Sequence, residues 1–254
     1  MEQQWIQKVR SFDDRRDIIV PGNQEETLTF CAAQFVSLAT VSIDRKGMFD
    51  VALSGGSTPK ALYQLLMSPQ YCKQVDWKQI RFFWSDERSV SPDDPESNYH
   101  MAMEAALSCL PIPKDNIHRM HAESADLEKA AKAYETLIEQ TVPNAAFDLV
   151  MLGMGDDGHT ASLFPKTHGL HAKGRLVIAN FIPQKATWRM TFTFDLINKA
   201  HQTNIYVIGK SKASMLNQVL TGPFTPDDLP IQQIGTRTHK ALWIADNDAA
   251  QDLI

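Results

Sequence analysis

Residues 153 to 159 have the sequence GMGDDGH, which contains three glycines and directly follows an apolar segment. Histidine is the side chain best suited to remove a proton from water near neutral pH, and a carboxylate two residues away can fix its tautomer. The glycines leave the backbone free to fold tightly around such a pair. We therefore interpret His159 as a general base supported by Asp157, with an exposed or purely structural histidine as the alternative.

A second segment, SGGSTP at residues 54 to 59, lies between an apolar run and a helical pattern. Its glycines permit close approach to the backbone, and Ser57 or Thr58 can cap a helix that begins at Pro59. The N–H groups at such a helix start suit a phosphate, whereas an ordinary strand-to-helix turn is the alternative. Neither the P-loop nor the dinucleotide pattern is present, which disfavours a nucleotide. The residues predicted to bind phosphate here are Ser54, Gly55, Gly56, Ser57 and Thr58.

Charged side chains also follow an apolar run in the sequence FFWSDER, residues 82 to 88. A strand that ends there would hold them at the edge of a sheet where ligands bind. Arg88 can bind a phosphate or an oxyanion through its planar guanidinium group. Asp86 can contact the substrate or orient Arg88, and for Glu87 we prefer a structural role. We interpret Asn98 as the first residue of a helix, with a ligand-binding residue as the less favoured alternative.

Two further cations, Arg189 and Lys210, lie next to other apolar runs. Arg189 opens a segment with alternating threonines, and Lys210 follows the run NIYVIG. Considered singly, each is interpreted as a solvated surface residue. Together with the SGGSTP turn, they predict a cationic pocket for a small dianion within an acidic chain.

The composition limits the classes of protein to which the chain can belong. Its 254 residues are 43% hydrophobic and 22% charged, as is usual for a soluble globular protein, and we predict one domain over residues 1–254. The net charge of -5 and the lack of a basic block argue against nucleic acid as a partner. Three separated cysteines predict no disulfide framework, and the sequence shows neither a secretory signal nor a membrane span. We expect a cytoplasmic protein with no membrane partner.

Two HxxH pairs raise the question of a metal site, one at His118 and His121 and one at His168 and His171. Neither pair has a carboxylate or thiolate at ligand spacing within an obvious helix. We therefore predict surface histidines and no required metal.

Short apolar runs alternate with amphipathic segments, which is the pattern of an α/β fold whose parallel sheet is covered by helices on both faces. In such sheets ligands collect at the carboxyl ends of the strands. The strands are predicted at residues 51–54, 80–84, 147–152, 176–179, 189–194, 204–208 and 241–245. The helices are predicted at residues 25–43, 59–67, 98–108, 127–140, 212–220 and 249–253.

Four motifs, SGGSTP, SDER with the downstream PESNY, GMGDDGHTASLFP and RMTFTF, occur in an order that resembles the 6-phosphogluconolactonase family over residues 25–254. The resemblance implies a three-layer α/β/α domain with a mostly parallel, doubly wound sheet, similar to glucosamine-6-phosphate deaminase and ribose-5-phosphate isomerase. It also implies a cofactor-free carboxylic ester hydrolase that converts 6-phospho-D-glucono-1,5-lactone to 6-phospho-D-gluconate in the oxidative pentose phosphate pathway. We expect a monomer or a weak homodimer.

The same resemblance implies roles for individual residues. His159 would be catalytic with Asp157 in support, and the turn at residues 54–58, Arg88 and Arg189 would contact the phosphate or another part of the substrate. The oxyanion would face either Arg88 or the backbone N–H groups of residues 153–158. Lys210 is placed in the phosphate site from the related deaminase. Because no GxSxG element is present, water rather than a side chain is expected to attack the lactone.

Glucosamine-6-phosphate deaminase is the main alternative, because it is similar at the glycine turn, the DE pair and the GxGxDGH element. That enzyme carries a Glu before the proline, where this chain has Phe164 and Pro165. It carries a Tyr after the DE pair, where this chain has Arg88. Both departures favour ester hydrolysis over isomerisation. A non-catalytic sugar-phosphate sensor is a further alternative, although the sequence shows no helix-turn-helix output module.

Overall fold

The structure is a computed structural model that describes residues 8–253. Two predictions fall partly outside this range. One is the absence of a signal sequence, which concerns the first residues of the chain. The other is the domain assignment, whose boundaries are residues 1 and 254.

Ten strands and six α-helices make up the regular structure of the described part of the chain. The strands are β1 (Arg10–Ser11), β2 (Arg16–Ile19), β3 (Phe49–Leu53), β4 (Ile80–Trp84), β5 (Asp86–Arg88), β6 (Leu149–Gly153), β7 (Val177–Ile182), β8 (Thr187–Phe192), β9 (Thr203–Val207) and β10 (Ala241–Ala245). The helices are α1 (Gln24–Lys46), α2 (Ser57–Leu66), α3 (Asn98–Ala105), α4 (Leu127–Thr141), α5 (Phe194–Ile197) and α6 (Ala213–Thr221).

Seven strands form a central sheet in the order β1-β2-β10-β9-β6-β3-β4, and only the edge pair β1 and β2 is antiparallel. A second, antiparallel sheet has the order β5-β8-β7. The chain moves from β3 to β4 in one direction along the central sheet and from β6 through β9 to β10 in the other. Because such crossovers are right-handed, the connecting segments lie on opposite faces. The predicted α/β class with a mostly parallel sheet flanked by helices is confirmed.

The element boundaries agree with the sequence pattern to different degrees. The predicted strands at 80–84 and 241–245 have the observed bounds, and the other five are displaced by one to three residues at either end. The pattern does not predict β1, β2 or β5, which are two to four residues long. The predicted helix at 249–253 is wrong. Turns occupy this segment: the Ala250 N–H donates to the Asp246 carbonyl at 3.0 Å, but the Leu253 N–H donates to the Ala250 carbonyl at 2.9 Å, so a single helical turn forms and is not continued.

The longest helix, α1, begins with a capping box in which the Asn23 side chain accepts the Glu26 N–H and the Glu26 side chain accepts the Asn23 N–H. By length and composition α1 is apolar enough to cross a membrane. One of its faces nevertheless belongs to the hydrophobic core, where Cys31, Phe35 and Ala39 are at most 2% exposed. The apolar composition of α1 is therefore that of a core helix.

A buried carboxylate joins α4 to the smaller sheet. Glu135, whose side chain is 3% exposed, accepts the Leu176 and Val177 N–H groups at 2.7 and 3.2 Å. It also bonds to Lys132 at 2.5 Å and to Arg175 at 3.1 Å. Burial raises the pKa of Glu135, but these hydrogen bonds outweigh burial and lower the pKa to about 2. The negative charge of Glu135 therefore stabilises the contact between α4 and β7.

We expect Glu135→Gln to lower the free energy of unfolding at pH 7 by on the order of 2 kcal/mol. Glu139→Gln, an exposed change on the same helix, is the matched control. A carboxyl with a lowered folded pKa stabilises the fold above its ordinary value of 4.5, and this contribution is lost as the pH falls towards about 2. Urea unfolding should therefore give a smaller difference between wild type and Glu135→Gln at pH 3 than at pH 7. An equal difference at both pH values would contradict the assignment.

Candidate active site

The strand order reverses between β3 and β6, and the carboxyl ends of these two parallel neighbours open into one pocket. This is the place where ligands bind in open α/β sheets. The pocket has a volume of about 230 Å³, enough for a small metabolite. The predicted site residues that line it are Ser54, Gly55, Gly56, Ser57, Thr58, Asp86, Arg88, His159 and Arg189.

The SGGSTP turn presents an uncapped helix start to this pocket. α2 begins at Ser57 rather than at Pro59, and Gly56 precedes it at φ 103, a conformation that glycine adopts without strain. Contrary to the prediction, no side chain caps the start of the helix. The N–H groups of the first turn and the hydroxyls of Ser57 and Thr58 are therefore available to an anion in the pocket.

A buried tyrosine holds the beginning of the turn. The Tyr63 hydroxyl accepts the Ser54 N–H at 3.1 Å and donates to the Ser54 carbonyl at 2.9 Å. Tyr63 is 3% exposed and lies on the buried face of α2. Sequence reasoning missed this contact, because Tyr63 follows the helical period like any core residue.

Pairing between β5 and β8 places Arg88 directly opposite Arg189. Side chains of opposed residues lie on the same face of a sheet, so two positive charges meet at one wall of the pocket. The Nε atoms of both residues are buried and have no hydrogen-bond partner among residues 8–253. Burial lowers the pKa of Arg189, Asp86 partly offsets this shift, and Arg88 adds to it. An anion would compensate the repulsion and accept the free N–H groups.

Asp86 lies buried beside these arginines. One carboxylate oxygen accepts the Ser162 hydroxyl at 2.6 Å, and the other accepts the Asn98 side-chain amide at 3.2 Å. The Arg189 guanidinium lies 4.0 Å away. Since both oxygens already have partners, these contacts favour an orienting role for Asp86 over the predicted direct contact with substrate.

Glu87 has the structural role that we preferred for it. Its carboxylate accepts the N–H groups of Arg88, Asn98 and Tyr99 at 2.8 Å each, together with the Ser97 hydroxyl at 3.0 Å. Burial raises the pKa of Glu87, although the three backbone hydrogen bonds oppose the shift. Asn98 is the first residue of α3, as predicted, and it also lines the pocket. The sequence indicated only the first of these two roles.

The imidazole of His159 and the carboxylate of Asp157 form the predicted pair, with 2.5 Å between Nδ1 and Oδ1. Because a carboxylate only accepts, the imidazole proton lies on Nδ1 and the Nε2 lone pair is left free. Burial raises the pKa of Asp157, but the hydrogen bonds from the His159 ring and backbone N–H, together with the charge of the ring when it is protonated, outweigh burial, so the pKa of Asp157 lies below its ordinary value. A Cβ atom at position 155 would lie 2.0 Å from His159 Nδ1, which explains why this residue is a glycine.

An aromatic ring contacts the base from a second side. The His159 and Phe164 rings are stacked, with centroids 3.8 Å apart and planes inclined by 14°. The Arg189 Cζ atom lies 5.4 Å from the centroid of the same Phe164 ring. The imidazole and one of the two opposed guanidinium groups are therefore joined through a single side chain.

Contrary to the prediction, Lys210 is exposed and does not line the pocket. Lys212 lines it instead, and its Nζ atom donates to the Met154 carbonyl at 3.0 Å and to Asp156 at 2.5 Å. β9 ends at Val207, one residue earlier than predicted, and a 3₁₀ turn follows over Lys210–Lys212. The end of β9 and the 3₁₀ turn together decide which lysine faces the pocket. The spacing of the lysines in the sequence could not predict this.

Within residues 8–253, no three His, Cys, Asp or Glu side chains are grouped so that they could hold a metal ion. His118 stacks on Phe83 with ring centroids 4.5 Å apart, and His121 is exposed. Both histidines line a larger groove of about 1010 Å³ beside α3 and α4, which contains none of the predicted site residues. That the chain requires no metal stays a prediction.

A family model described as glucosamine-6-phosphate isomerases/6-phosphogluconolactonase matches residues 22–243. The chain belongs to this family. A 6-phosphogluconolactonase of Chlamydia trachomatis serovar D is 39% identical over 241 residues, which cover 95% of this chain and 92% of that relative.

Solved structures agree with this assignment. The 6-phosphogluconolactonase from Trypanosoma cruzi superposes with a TM-score of 0.81 at 30% identity, covering 96% of this chain and 98% of that one. A monomeric glucosamine-6-phosphate deaminase superposes with a TM-score of 0.77 at 20% identity, covering 92% of this chain and 99% of that one. The second likeness concerns the fold alone. The predicted resemblance to the lactonase family and to the deaminase fold is confirmed.

We expect Arg189→Met to remove most of the stabilisation that inorganic phosphate gives the protein, while it changes the stability of the unliganded protein little. Binding to the folded state raises Tm by mass action, and the substitution removes both a phosphate donor and a like-charge contact. Tm is measured by thermal denaturation with and without phosphate at pH 7. Lys210→Met is the control and should keep the full shift. A full phosphate shift in Arg189→Met would contradict an anion site between the arginines.

Proposed function

We propose that this chain hydrolyses 6-phospho-D-glucono-1,5-lactone to 6-phospho-D-gluconate, a step of the oxidative pentose phosphate pathway. One observation carries the proposal: an imidazole held by a carboxylate and a pair of opposed arginines line the same pocket. The first can activate water, and the second can bind an anion. Membership of the family and the names of its relatives support this substrate.

The reaction begins when water attacks the carbonyl carbon of the lactone. Nε2 of neutral His159 accepts the proton of that water, while Asp157 holds the ring and stabilises the imidazolium that forms. The bond between the carbonyl carbon and the ring oxygen then breaks. The imidazolium returns the proton to the ring oxygen, which leaves as a hydroxyl. Because His159 is 26% exposed at the pocket, water can reach it.

The negative charge on the carbonyl oxygen needs a stabilising group during the attack. Two N–H groups of the glycine loop are already used, since Gly155 donates to the His159 carbonyl at 2.9 Å and Gly158 donates to the Gly155 carbonyl at 3.1 Å. Arg88 retains a buried Nε–H that has no partner in the described part of the chain. Arg88 and the remaining N–H groups of the loop are therefore the two candidate donors for the oxyanion.

The phosphate would lie at the other end of the substrate. The uncapped start of α2 and the hydroxyls of Ser57 and Thr58 offer donors without a charge of their own, and Arg189 supplies the positive charge. Binding energy from this remote dianion can orient the reacting carbonyl towards His159. The phosphate site in this way contributes to the rate as well as to affinity.

Two other functions are less well supported. A deaminase needs a further proton-transferring group near the imidazole, and here the apolar ring of Phe164 covers that side of His159. A sugar-phosphate sensor would bind 6-phosphogluconate without hydrolysing the lactone. A sensor also has no use for a base that is held by a carboxylate and exposed in the pocket.

The cellular setting is also a proposal. The three cysteines are unpaired, and the net charge of the chain is -5, so we infer a cytoplasmic enzyme with no nucleic acid or membrane partner. We expect it to act as a monomer or a weak homodimer on a small sugar-phosphate lactone.

We expect His159→Ala to lower kcat for 6-phosphogluconolactone by about 10²–10⁴-fold, the usual contribution of a general base. Acid release from freshly prepared lactone is followed in a pH-stat, and the spontaneous rate is subtracted. His121→Ala, at an exposed histidine outside the pocket, should keep wild-type turnover. Glucosamine 6-phosphate is offered in parallel to test for ammonia release. Near-native turnover in His159→Ala would exclude His159 as the base.

We expect Arg189→Met to lower kcat/KM for the phosphorylated lactone by roughly tenfold to a hundredfold, the usual loss for a charge-assisted hydrogen bond. The unphosphorylated gluconolactone should lose much less, because it has no dianion for Arg189 to bind. Both substrates are assayed with wild type and variant under the same conditions. Equal losses on the two lactones would remove the phosphate role from Arg189.

A further inference from the structure

Two groups of the site contact one hydrophobic side chain that takes no direct part in the proposed reaction. Phe164 is 2% exposed, and its ring stacks on His159 with 3.8 Å between centroids and 14° between planes. Arg189 Cζ lies 5.4 Å from the centre of the same ring, within the range of a cation–π contact.

The stacking contact supplies a restraint that Asp157 cannot. The hydrogen bond between Asp157 and Nδ1 fixes one edge of the imidazole. A single contact in the plane of the ring still allows the ring to tilt about that bond. A flat aromatic face at van der Waals distance restricts this tilt. The hydrogen bond from Asp157 and the stacking on Phe164 together determine the direction in which Nε2 points. The face of Phe164 would also stabilise the imidazolium that forms during the reaction.

The backbone around Phe164 is held by the smaller sheet. The Phe164 carbonyl accepts the Thr167 hydroxyl at 2.7 Å, and the Asn180 amide donates to that hydroxyl at 3.1 Å. Asn180 lies on β7 directly opposite Arg189 on β8. The ring is therefore anchored to the same strand pair that carries the guanidinium, so its distance from Arg189 is set by the sheet.

We propose that Phe164 is a positioning residue for both ends of the reaction, whose ring fixes the plane of the His159 imidazole and the direction of the Arg189 guanidinium. The proposal rests on the lactonase function proposed above. It assigns Phe164 no contact with the reacting atoms. Removing the flat ring should therefore reduce the rate of the chemical step. It should also reduce the ratio of kcat/KM between the phosphorylated and the unphosphorylated lactone.

The kinetic test uses Phe164→Leu, which keeps a buried apolar side chain but removes the flat face. Phe35→Leu is the matched control, because Phe35 is also 2% exposed and packs on Phe49 and Trp77 in the core. We expect Phe164→Leu to lower kcat on both lactones by about tenfold to a hundredfold, as a misplaced catalytic group does. The ratio of kcat/KM between the phosphorylated and the bare lactone should fall severalfold. Phe35→Leu should lower Tm but leave this ratio unchanged.

A second measurement does not depend on activity. In wild type, the ring current of Phe164 should move the carbon-bound imidazole protons of His159 upfield. These protons are identified, among those of the eight histidines, as the resonances missing in His159→Gln. They should move downfield in Phe164→Leu and stay in place in Phe35→Leu. If Phe164→Leu does not fold, Phe164→Met fills the same space with a flexible chain and takes its place in both tests.

The outcomes separate this proposal from the function on which it rests. A wild-type protein that does not accelerate lactone hydrolysis refutes the function, and the His159 resonances still decide whether Phe164 fixes the ring. The positioning role is refuted if wild type hydrolyses the lactone and Phe164→Leu matches it in two quantities. These are kcat and the ratio of kcat/KM between the phosphorylated and the bare lactone. Losses in Phe164→Leu no greater than those in Phe35→Leu also refute it.

Discussion

Two guanidinium groups of like charge are held side by side at the wall of a small pocket, although opposed like charges normally weaken a sheet. Arg88 and Arg189 remain opposed because the pairing of β5 with β8 sets their positions, and Asp86 lies within 4.0 Å of Arg189 to offset part of the repulsion. Their buried Nε–H groups lack partners within the described part of the chain. The two arginines therefore suit a negative charge in addition to that of Asp86, such as the anionic group of a substrate.

The smaller sheet can hold this wall in place because it is joined closely to the central sheet. Ser85 is the one residue between β4 and β5, so the chain passes from one sheet to the other without a loop. The Ser85 hydroxyl donates to the Leu53 carbonyl at 3.0 Å, and the Phe192 N–H donates to the Ser85 carbonyl at 2.8 Å. The end of β3, the start of β5 and the end of β8 therefore meet at one residue. The turn that follows β3 and the arginine pair are in this way held at a constant separation.

The segment after β6 brings the base to the same pocket and connects it to both sheets. The Thr160 hydroxyl donates to the Gly153 carbonyl at 2.9 Å, and the Ser162 N–H donates to the Thr191 hydroxyl at 3.1 Å. Ala161, between them, has φ 46, a left-handed conformation that costs a non-glycine residue about 1–2 kcal/mol. The surrounding hydrogen bonds impose this conformation, which turns the chain so that His159 faces the pocket while Phe164 packs beneath it. A strained backbone that supports a functional side chain is common at active sites.

The sequence alone determined the α/β class, the strands at 80–84 and 241–245, and the candidate motifs SGGSTP, SDER and GMGDDGH, because apolar periodicity and motifs at strand ends are local properties of the chain. It also indicated that His159 is a general base and that Asp157 supports it. It could not show that SDER becomes a strand, that Asn98 lines the pocket, or that Lys212 takes the place expected for Lys210. Only the tertiary structure decided these points, since each depends on pairing or packing between segments distant in sequence: β5 is a strand only because it pairs with β8, and Arg88 meets Arg189 only through that register. The charge of a residue is part of its chemical identity, but the electric field at a site depends on which charges the fold brings together.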